Sequence, residues 1–71
     1  MNATKIASQR VGSNLKRLIK EGGITQESFA NEVLGCDPRV LRRWIHDGVN
    51  QIDTINWLAE ALEVDVRDLL F

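Results

Sequence analysis

Residues 24–48 read ITQESFANEVLGCDPRVLRRWIHDG and carry the local signals of two short helices joined by a tight turn. The residues that mark helix starts and ends are Thr25, Gly35, Asp37-Pro38 and Gly48. Threonine and aspartate are favoured N-caps, proline is favoured in the first helical turn, and glycine suits the left-handed residue that ends a helix. The pattern therefore predicts one helix that begins after Thr25 and a second that begins at Pro38 and ends at Gly48.

The second helix of this pair sorts its side chains onto two faces. At about 100° per residue, one arc of roughly 140° holds apolar residues and an opposite arc of roughly 100° holds cationic ones. The apolar set is Val40, Leu41, Trp44 and Ile45, and the cationic set is Arg39, Arg42, Arg43 and His46. We expect Trp44 in the core rather than stacked on a base. Because no acidic residue interrupts the arginines on their arc, this face favours nucleic-acid contact over the alternative of an ordinary solvated surface.

The flanking sequence predicts three further helices. Their expected extents are about 5–21, from Asp53 or Thr54 as N-cap to about 63, and a short helix capped by Asp65. The apolar stripes expected in the core are Val11, Leu15, Leu18 and Ile19; Phe29, Ala30, Val33 and Leu34; Ile55, Leu58, Ala59 and Leu62; and Val66, Leu69 and Leu70. Gly12 marks either close packing or a weak first turn, and the first four or so residues are candidates for fraying. The chain is thus predicted to be one compact all-α domain, 1–71, of five helices.

Length and composition limit the classes of function. A chain of 71 residues forms a thin core with little room for a deep pocket. It has one histidine, one cysteine and no tyrosine, and no glycine-rich phosphate loop. We therefore expect no enzymatic activity, cofactor, metal site or small-molecule ligand, and Cys36 should be a small buried apolar residue. A single cysteine, the lack of a long apolar run and the lack of a signal sequence at the start favour a cytoplasmic protein without membrane spans.

The net charge of −1 is unevenly distributed along the chain. Residues 1–46 contain eight lysines and arginines against four acidic residues, a net charge of +4. Residues 47–71 contain one arginine against six acidic residues, a net charge of −5. This asymmetry predicts one cationic binding face and an acidic remainder, with ordinary surface variation as the alternative.

The central stretch resembles a known family. ITQESFANEVLGC at 24–36 looks like the I-T-Q-x-x-L-A-x-x-x-G-V-S pattern of the lambda-repressor-like helix-turn-helix domains, the Cro/repressor or Xre type of prokaryotic and phage regulators. DTINWLAEALEVDVRDLL at 53–70 is similar to the closing L-x-x-I-A-x-A-L-x-V-x-x-x-x-L-L of that family. The likeness covers about residues 9–70. It implies a five-helix domain with a helix-turn-helix over 25–47, whose third helix lies in the major groove of DNA.

The resemblance also implies roles for individual residues. Gln26 matches the glutamine that contacts a phosphate at the start of the family's second helix, and Ala30 matches the small residue at which the two helices approach. The positions that reach bases or phosphates match Arg39, Arg42 and Arg43. The matched apolar positions are Cys36 in the turn and Leu41 in the third helix.

The chain departs from the family pattern in three places. One extra residue lies between Ala30 and Gly35, which implies a looser turn or a longer second helix. The glutamate that follows the recognition helix is missing near Ile45. The loop VNQI at 49–52 lacks the lysine or arginine that often binds phosphate.

The residues and the resemblance together predict a sequence-specific regulator that binds double-stranded DNA, of the repressor type. Arg39, near the N-terminus of the third helix, is the first candidate for a base contact, and Arg43 is the second. Arg42 and His46 are candidates for phosphate contacts. Further candidates are Thr25 and Gln26 at a helix N-terminus and Asn50 and Gln51 in the loop.

Such a domain is expected to bind a symmetric operator as a homodimer, with half-sites about 34 Å apart. Trp57, which lies off the apolar stripe of its helix, and the terminal Leu70 and Phe71 are candidates for the dimer contact. The alternative function is a protein-interaction module of the same fold, an antitoxin or adaptor, whose acidic half docks a partner. Steep weakening of binding by salt distinguishes DNA binding from this alternative.

Overall fold

A computed structural model describes the backbone of residues 3–71 and the side chains of residues 8–71. The helices are α1 (Ala3–Glu21), α2 (Gln26–Ser28), which continues directly as a π-helical segment (Phe29–Leu34), α3 (Pro38–Asp47), α4 (Ile52–Leu62) and α5 (Val66–Leu70). The predicted all-α fold of five helices is confirmed, and its radius of gyration of 11.1 Å matches the value of about 11 Å expected for a compact domain of this length. Of the residues considered for fraying, Met1 and Asn2 lie outside the described residues, and the next two belong to α1.

Three helices begin at the caps that the sequence predicts. The hydroxyl oxygen of Thr25 accepts a hydrogen bond from the backbone N–H three residues further on (3.1 Å). The carboxylates of Asp37 and Asp65 each accept one from the N–H two residues further on, at 2.8 and 2.9 Å. Each cap satisfies a backbone donor that the helix itself leaves without a partner.

Helix α4 begins earlier than predicted, and neither Asp53 nor Thr54 is its N-cap. Gln51 occupies that position without a side-chain cap bond. The chain is already anchored at Val49, which is 6% exposed and whose N–H donates to the carbonyl of Ser8 (3.3 Å). Since this anchor turns the chain back onto the core just before the helix, tertiary packing outweighs the local preference for a cap.

All five helices contribute to, or pack against, a single apolar core. The buried apolar residues are Val11, Leu15, Ile19, Phe29, Ala30, Leu34, Leu41, Val49, Ile55, Leu58, Ala59 and Leu69. The remaining members of the predicted stripes on α1, α4 and α5 are partly buried against this set. Helix α5 is also tied to α1 by the side-chain amide of Asn14, which donates to the carbonyl of Leu69 (2.8 Å). Burial of Leu41 in this core determines which side of α3 faces outwards.

Val33 does not lie in the core as predicted, because the second helix departs from α-helical spacing. In the π-helical segment, the N–H of Gly35 bonds to the carbonyl of Ala30, five residues back. The wider turn keeps Phe29 and Leu34 buried while Val33 is 46% exposed. All the residues between Ala30 and Gly35, where the family resemblance implies one extra residue, lie within this segment. Gly35 then ends the helix in the left-handed conformation, with φ of 68°.

Helices α1 and α3 approach closely at Gly12. A Cβ atom there would lie 2.5 Å from the carbonyl oxygen of Ile45 and 2.8 Å from that of Trp44. The glycine therefore marks close packing rather than a weak first turn. A second tight approach involves Gly48 (φ 92°), which follows α3. It lies against the backbone of Ser8, one turn before Gly12 on α1.

Replacing Gly12 by alanine is expected to lower the free energy of unfolding by about 1–3 kcal/mol, because the new methyl group must push α1 and α3 apart. Helix propensity alone predicts the opposite sign, a gain of up to about 1 kcal/mol. Urea denaturation monitored by circular dichroism measures the change. Gly22→Ala is the matched control, since a Cβ at Gly22 meets only ordinary contacts of 3.4 and 3.5 Å. A stabilised Gly12→Ala protein would contradict the close approach.

Candidate nucleic-acid interface

Helix α3 presents one side to the core and the other to solvent. Leu41 is fully buried, Trp44 and Ile45 are half-buried against the core, and Val40 is also half-buried. The exposed residues include Arg39, Arg42, Arg43 and His46. The predicted division of this helix into a packing face and a cationic face is confirmed.

Two arginines of the cationic face, Arg42 and Arg43, form no salt bridge with any residue whose side chain the structure describes. Within residues 8–71, the salt bridges involve Arg17, Arg39, His46 and Arg67. Neither Arg42 nor Arg43 takes part in one. A guanidinium with its five donors in water is free to bond a phosphate oxygen or the edge of a base.

Arg39 is held by the aspartate that caps its own helix. Its Nε donates to both carboxylate oxygens of Asp37 (3.3 Å each), and its Nη2 donates to Oδ2 (2.9 Å). Helical side chains lean towards the N-terminus, so an arginine at the second helical position lies over the cap. The bonds from the guanidinium and from the backbone N–H of Arg39 lower the pKa of Asp37 to about 2, and the carboxylate raises the pKa of Arg39. At neutral pH the pair therefore carries little net charge.

The same arrangement occurs at the start of α5. Asp65 accepts from the backbone N–H of Arg67, whose Nε and Nη2 also donate to the carboxylate at 3.1 Å each and lower its pKa. We call this arrangement the cap clamp: an N-cap aspartate bonded to both the N–H and the guanidinium of an arginine two residues on. Cap preferences alone predict Asp37 and Asp65 as N-caps. The Asp-x-Arg spacing at a helix start is the additional signal for the clamp.

His46 lies at the other end of the cationic face, beside an acid. Its Nδ1 donates to Oδ1 of Asp47 at 2.8 Å, and the two side chains are 89% and 64% exposed. The carboxylate offsets the positive charge that a protonated ring would bring. The cationic face is therefore strongest in its middle, at Arg42 and Arg43.

The start of α2 lies beside two lysines of α1. A shallow groove of ≈ 330 Å³ is lined by Lys16, Ile19, Lys20, Gly23, Ile24, Thr25 and Gln26. Gln26 is half-buried there, and Thr25 is exposed. The candidates for phosphate contact, Thr25 and Gln26, thus have cationic neighbours on α1. In the sequence, these neighbours are indicated by the spacing of four between Lys16 and Lys20, which places both lysines on one face at the end of α1.

The two loop candidates are exposed but uncharged. Asn50 and Gln51 both lie in the segment that joins α3 to α4. The side-chain oxygen of Gln51 accepts a long hydrogen bond from the hydroxyl of Thr54 (3.5 Å). These residues can offer hydrogen bonds to a phosphate but no attraction of charge.

The three candidates for a dimer contact differ in exposure. Trp57 is 41% exposed and packs edge to face on Trp44, with ring centroids 6.1 Å apart and planes at 89°. Phe71 is 81% exposed, whereas Leu70 is half-buried against the core. Trp57 therefore supports the packing face of α3 and presents apolar surface to solvent as well.

Cys36 packs against the core as a half-buried residue of the turn. Burial and the neighbouring carboxylate of Asp37 raise the pKa of its thiol. In the part of the chain that the structure describes, no three His, Cys, Asp or Glu side chains group so as to hold a metal ion. None of the described helices combines the length and the apolar character needed to cross a lipid bilayer.

No protein-family model, curated protein or solved structure matches this chain. The likeness of residues 24–36 and 53–70 to the lambda-repressor-like pattern therefore stays a resemblance. One of its departures has a structural counterpart, since the additional residue between Ala30 and Gly35 falls in the π-helical segment.

Replacing Arg39 by alanine is expected to raise the pKa of Asp37 from about 2 towards its ordinary value of 3.8, because the guanidinium bond is the largest cause of the lowering. The backbone N–H of residue 39 remains, so part of the lowering persists. NMR titration of the Asp37 carboxyl carbon measures the midpoint.

The lowered pKa of Asp37 also determines how the stability that this carboxylate contributes depends on pH. Because the folded-state pKa of Asp37 lies below its unfolded value, the stabilisation is present above about pH 4 and is lost as the pH falls towards 2. Asp65, whose clamp stays intact, is the internal reference and should titrate as before. An Asp37 midpoint that is the same with and without the arginine would show that the clamp does not form in solution.

Proposed function

We propose that this protein is a transcription regulator that binds double-stranded DNA sequence-specifically, with α3 in the major groove. The observation that carries the proposal is an exposed cationic helix face whose opposite face is packed in the core. An α-helix fits the major groove, where the base edges present an unambiguous pattern of donors and acceptors. With 10 residues, α3 is about 15 Å long and spans a few base pairs.

The proposed arrangement is a lambda-repressor-like helix-turn-helix of the repressor type, formed by the second and third helices. The resemblance of residues 24–36 supports it, and so does the order of five helices. Ala30 matches the small residue at which the two helices approach in that family, and Leu41 matches the core residue of its third helix. Both are fully buried. The π-helical segment adds one residue to this unit before the turn.

In this arrangement, the N-terminal end of α3 enters the groove first. Arg39 reads a base there, and Arg43, one turn further on, reads a second. Arginine can bond both acceptors of a guanine, which discriminates against other bases by about 1–3 kcal/mol. Arg42 and His46 bind phosphates on either side, His46 more weakly because of its acidic neighbour.

Phosphate contacts hold the domain in register on the duplex. Thr25 and Gln26 present backbone N–H groups at the start of α2, and Lys16 and Lys20 add positive charge beside them. The uncharged loop candidates are Asn50 and Gln51. Because the net charge of the chain is −1, attraction to DNA depends on these local groups rather than on the whole molecule.

A single recognition helix reads few base pairs, so the proposed regulator binds a symmetric operator as a homodimer, with half-sites about 34 Å apart. Trp57 and Phe71 offer exposed apolar surface for the contact between protomers. Leu70 supports that surface from its half-buried position. A regulator of this kind acts in the cytoplasm, on the nucleoid.

A protein-interaction module, such as an antitoxin or adaptor, is the second candidate. It is favoured by an apolar groove of ≈ 260 Å³ whose lining includes Phe29, Val33 and Leu62. Val33 is exposed there because the π-helical segment turns it outwards. A partner in this groove would bind with little dependence on salt, whereas phosphate contacts weaken steeply as salt is added.

On a DNA site selected from a random pool, Arg42→Ala is expected to weaken binding to all sequences alike. The slope of log K against log salt should fall by about 1, because one phosphate contact is lost. Arg43→Ala should instead reduce discrimination at one base pair by about 1–3 kcal/mol. Fluorescence anisotropy at several salt concentrations measures both quantities.

Arg67→Ala is the matched control for these variants. It removes an exposed arginine from α5, outside the interface, and leaves Asp65 as the N-cap. The interaction module becomes the favoured function if Arg39→Ala, Arg42→Ala and Arg43→Ala all bind DNA as the control does.

The double variant Trp57→Ala, Phe71→Ser is expected to bind a symmetric duplex as one chain rather than two, because it removes the exposed apolar surface of the dimer contact. Analytical ultracentrifugation with labelled duplex measures the stoichiometry. Phe71→Ser alone separates loss of contact from loss of folding, since that side chain is 81% exposed. Val33→Ala is the control for an exposed apolar residue elsewhere. Two chains per duplex in the double variant would reject this contact.

A further inference from the structure

Asp37 holds the guanidinium of Arg39 by one edge and leaves another edge free. We propose that Asp37 is a positioning residue, which directs Arg39 to read a guanine end-on. This inference rests on the DNA-binding function proposed above. It adds the base that Arg39 selects and the residue that enforces the selection.

The free edge of the Arg39 guanidinium is found by counting its N–H donors. A guanidinium has five N–H groups in one plane. Asp37 occupies the edge formed by Nε and one hydrogen of Nη2, at 3.3 and 2.9 Å. The end edge, formed by Nη1 and the second hydrogen of Nη2, makes no hydrogen bond to any described residue, and the side chain is 81% exposed. That edge presents two parallel donors to whatever lies in front of α3.

Guanine is the base that matches two parallel donors. Its O6 and N7 are adjacent acceptors in the major groove, whereas adenine places a donor beside N7 and thymine offers a single acceptor beside a methyl group. An arginine that is already held loses less conformational freedom on binding, so geometry is enforced at lower cost. Phosphate is a poorer target for Arg39, because the ionised carboxylate of Asp37 repels it.

The chain contains its own control for the clamp. At the start of α5, which has no part in the proposed nucleic-acid interface, Arg67 likewise donates from Nε and Nη2 to the carboxylate of Asp65. The clamp itself is therefore a local property of Asp-x-Arg at a helix start. Its role in base selection would come from the place of α3 in the groove, so the same substitution at both sites separates helix capping from DNA recognition.

The test uses the full chain and a duplex selected from a random pool. The base pair that is varied is the one at which Arg39→Ala abolishes the base preference, and each of the four bases is placed there in turn. The wild type should prefer guanine by roughly tenfold. Asp37→Asn keeps an effective N-cap and removes the carboxylate. Its preference should fall below about threefold, while its affinity for unselected DNA stays equal or rises because a negative charge is lost. Asp65→Asn should change neither quantity.

Each other outcome is decisive. If Asp37→Asn binds every sequence more tightly by the same factor and keeps the guanine preference, Asp37 acts only through charge and capping, and the positioning role is overturned. A wild-type preference for another base at that pair overturns it as well. A wild-type chain that binds no DNA overturns the proposed function, and this inference with it. Thermal denaturation of the two asparagine variants shows whether both remain folded, and a cooperative transition is expected for each.

Discussion

The close approach of α1 and α3 at Gly12 is the contact on which the rest of the molecule depends. Any side chain there would meet the carbonyl oxygens of Trp44 and Ile45, so α3 can lie against α1 only because that position has no Cβ. In this position Leu41 reaches the core, and Trp44 rests edge-on against Trp57 of α4. The opposite side of α3 is left in solvent. One steric condition thus decides which face of α3 is available to a partner.

The arginines of that face differ in whether a neighbouring carboxylate neutralises their charge. The chain is slightly acidic overall, so long-range attraction to a polyanion is weak, and local groups must supply it. Among residues 8–71, neither Arg42 nor Arg43 forms a salt bridge, whereas Arg39 is largely neutralised by Asp37. A neutralised guanidinium attracts a phosphate poorly but keeps its donors in a fixed orientation. In the proposed function, Arg42 provides affinity through a phosphate, whereas Arg43 and the clamped Arg39 each select a base.

The π-helical segment connects the fold to a second surface. Such turns are rare, and many of those known lie at functional sites. Here the wider turn keeps Phe29 and Leu34 in the core and turns Val33 outwards, beside an apolar groove. Gly35 ends the segment in the left-handed conformation, and Asp37 caps α3 two residues further on.

Local chemistry in the sequence by itself determined the number of helices, the caps at Thr25 and Asp37 and the two faces of α3, because each of these depends on neighbours within a turn or two. The clamp on α3 is local as well and can be predicted from the Asp-x-Arg spacing. The tertiary structure alone decided that α4 starts early behind a buried Val49, that Gly12 lies against the backbone of α3, and that Trp57 packs on that helix. These features join residues that are well beyond a turn or two apart in the chain, and no local pattern specifies which helices meet.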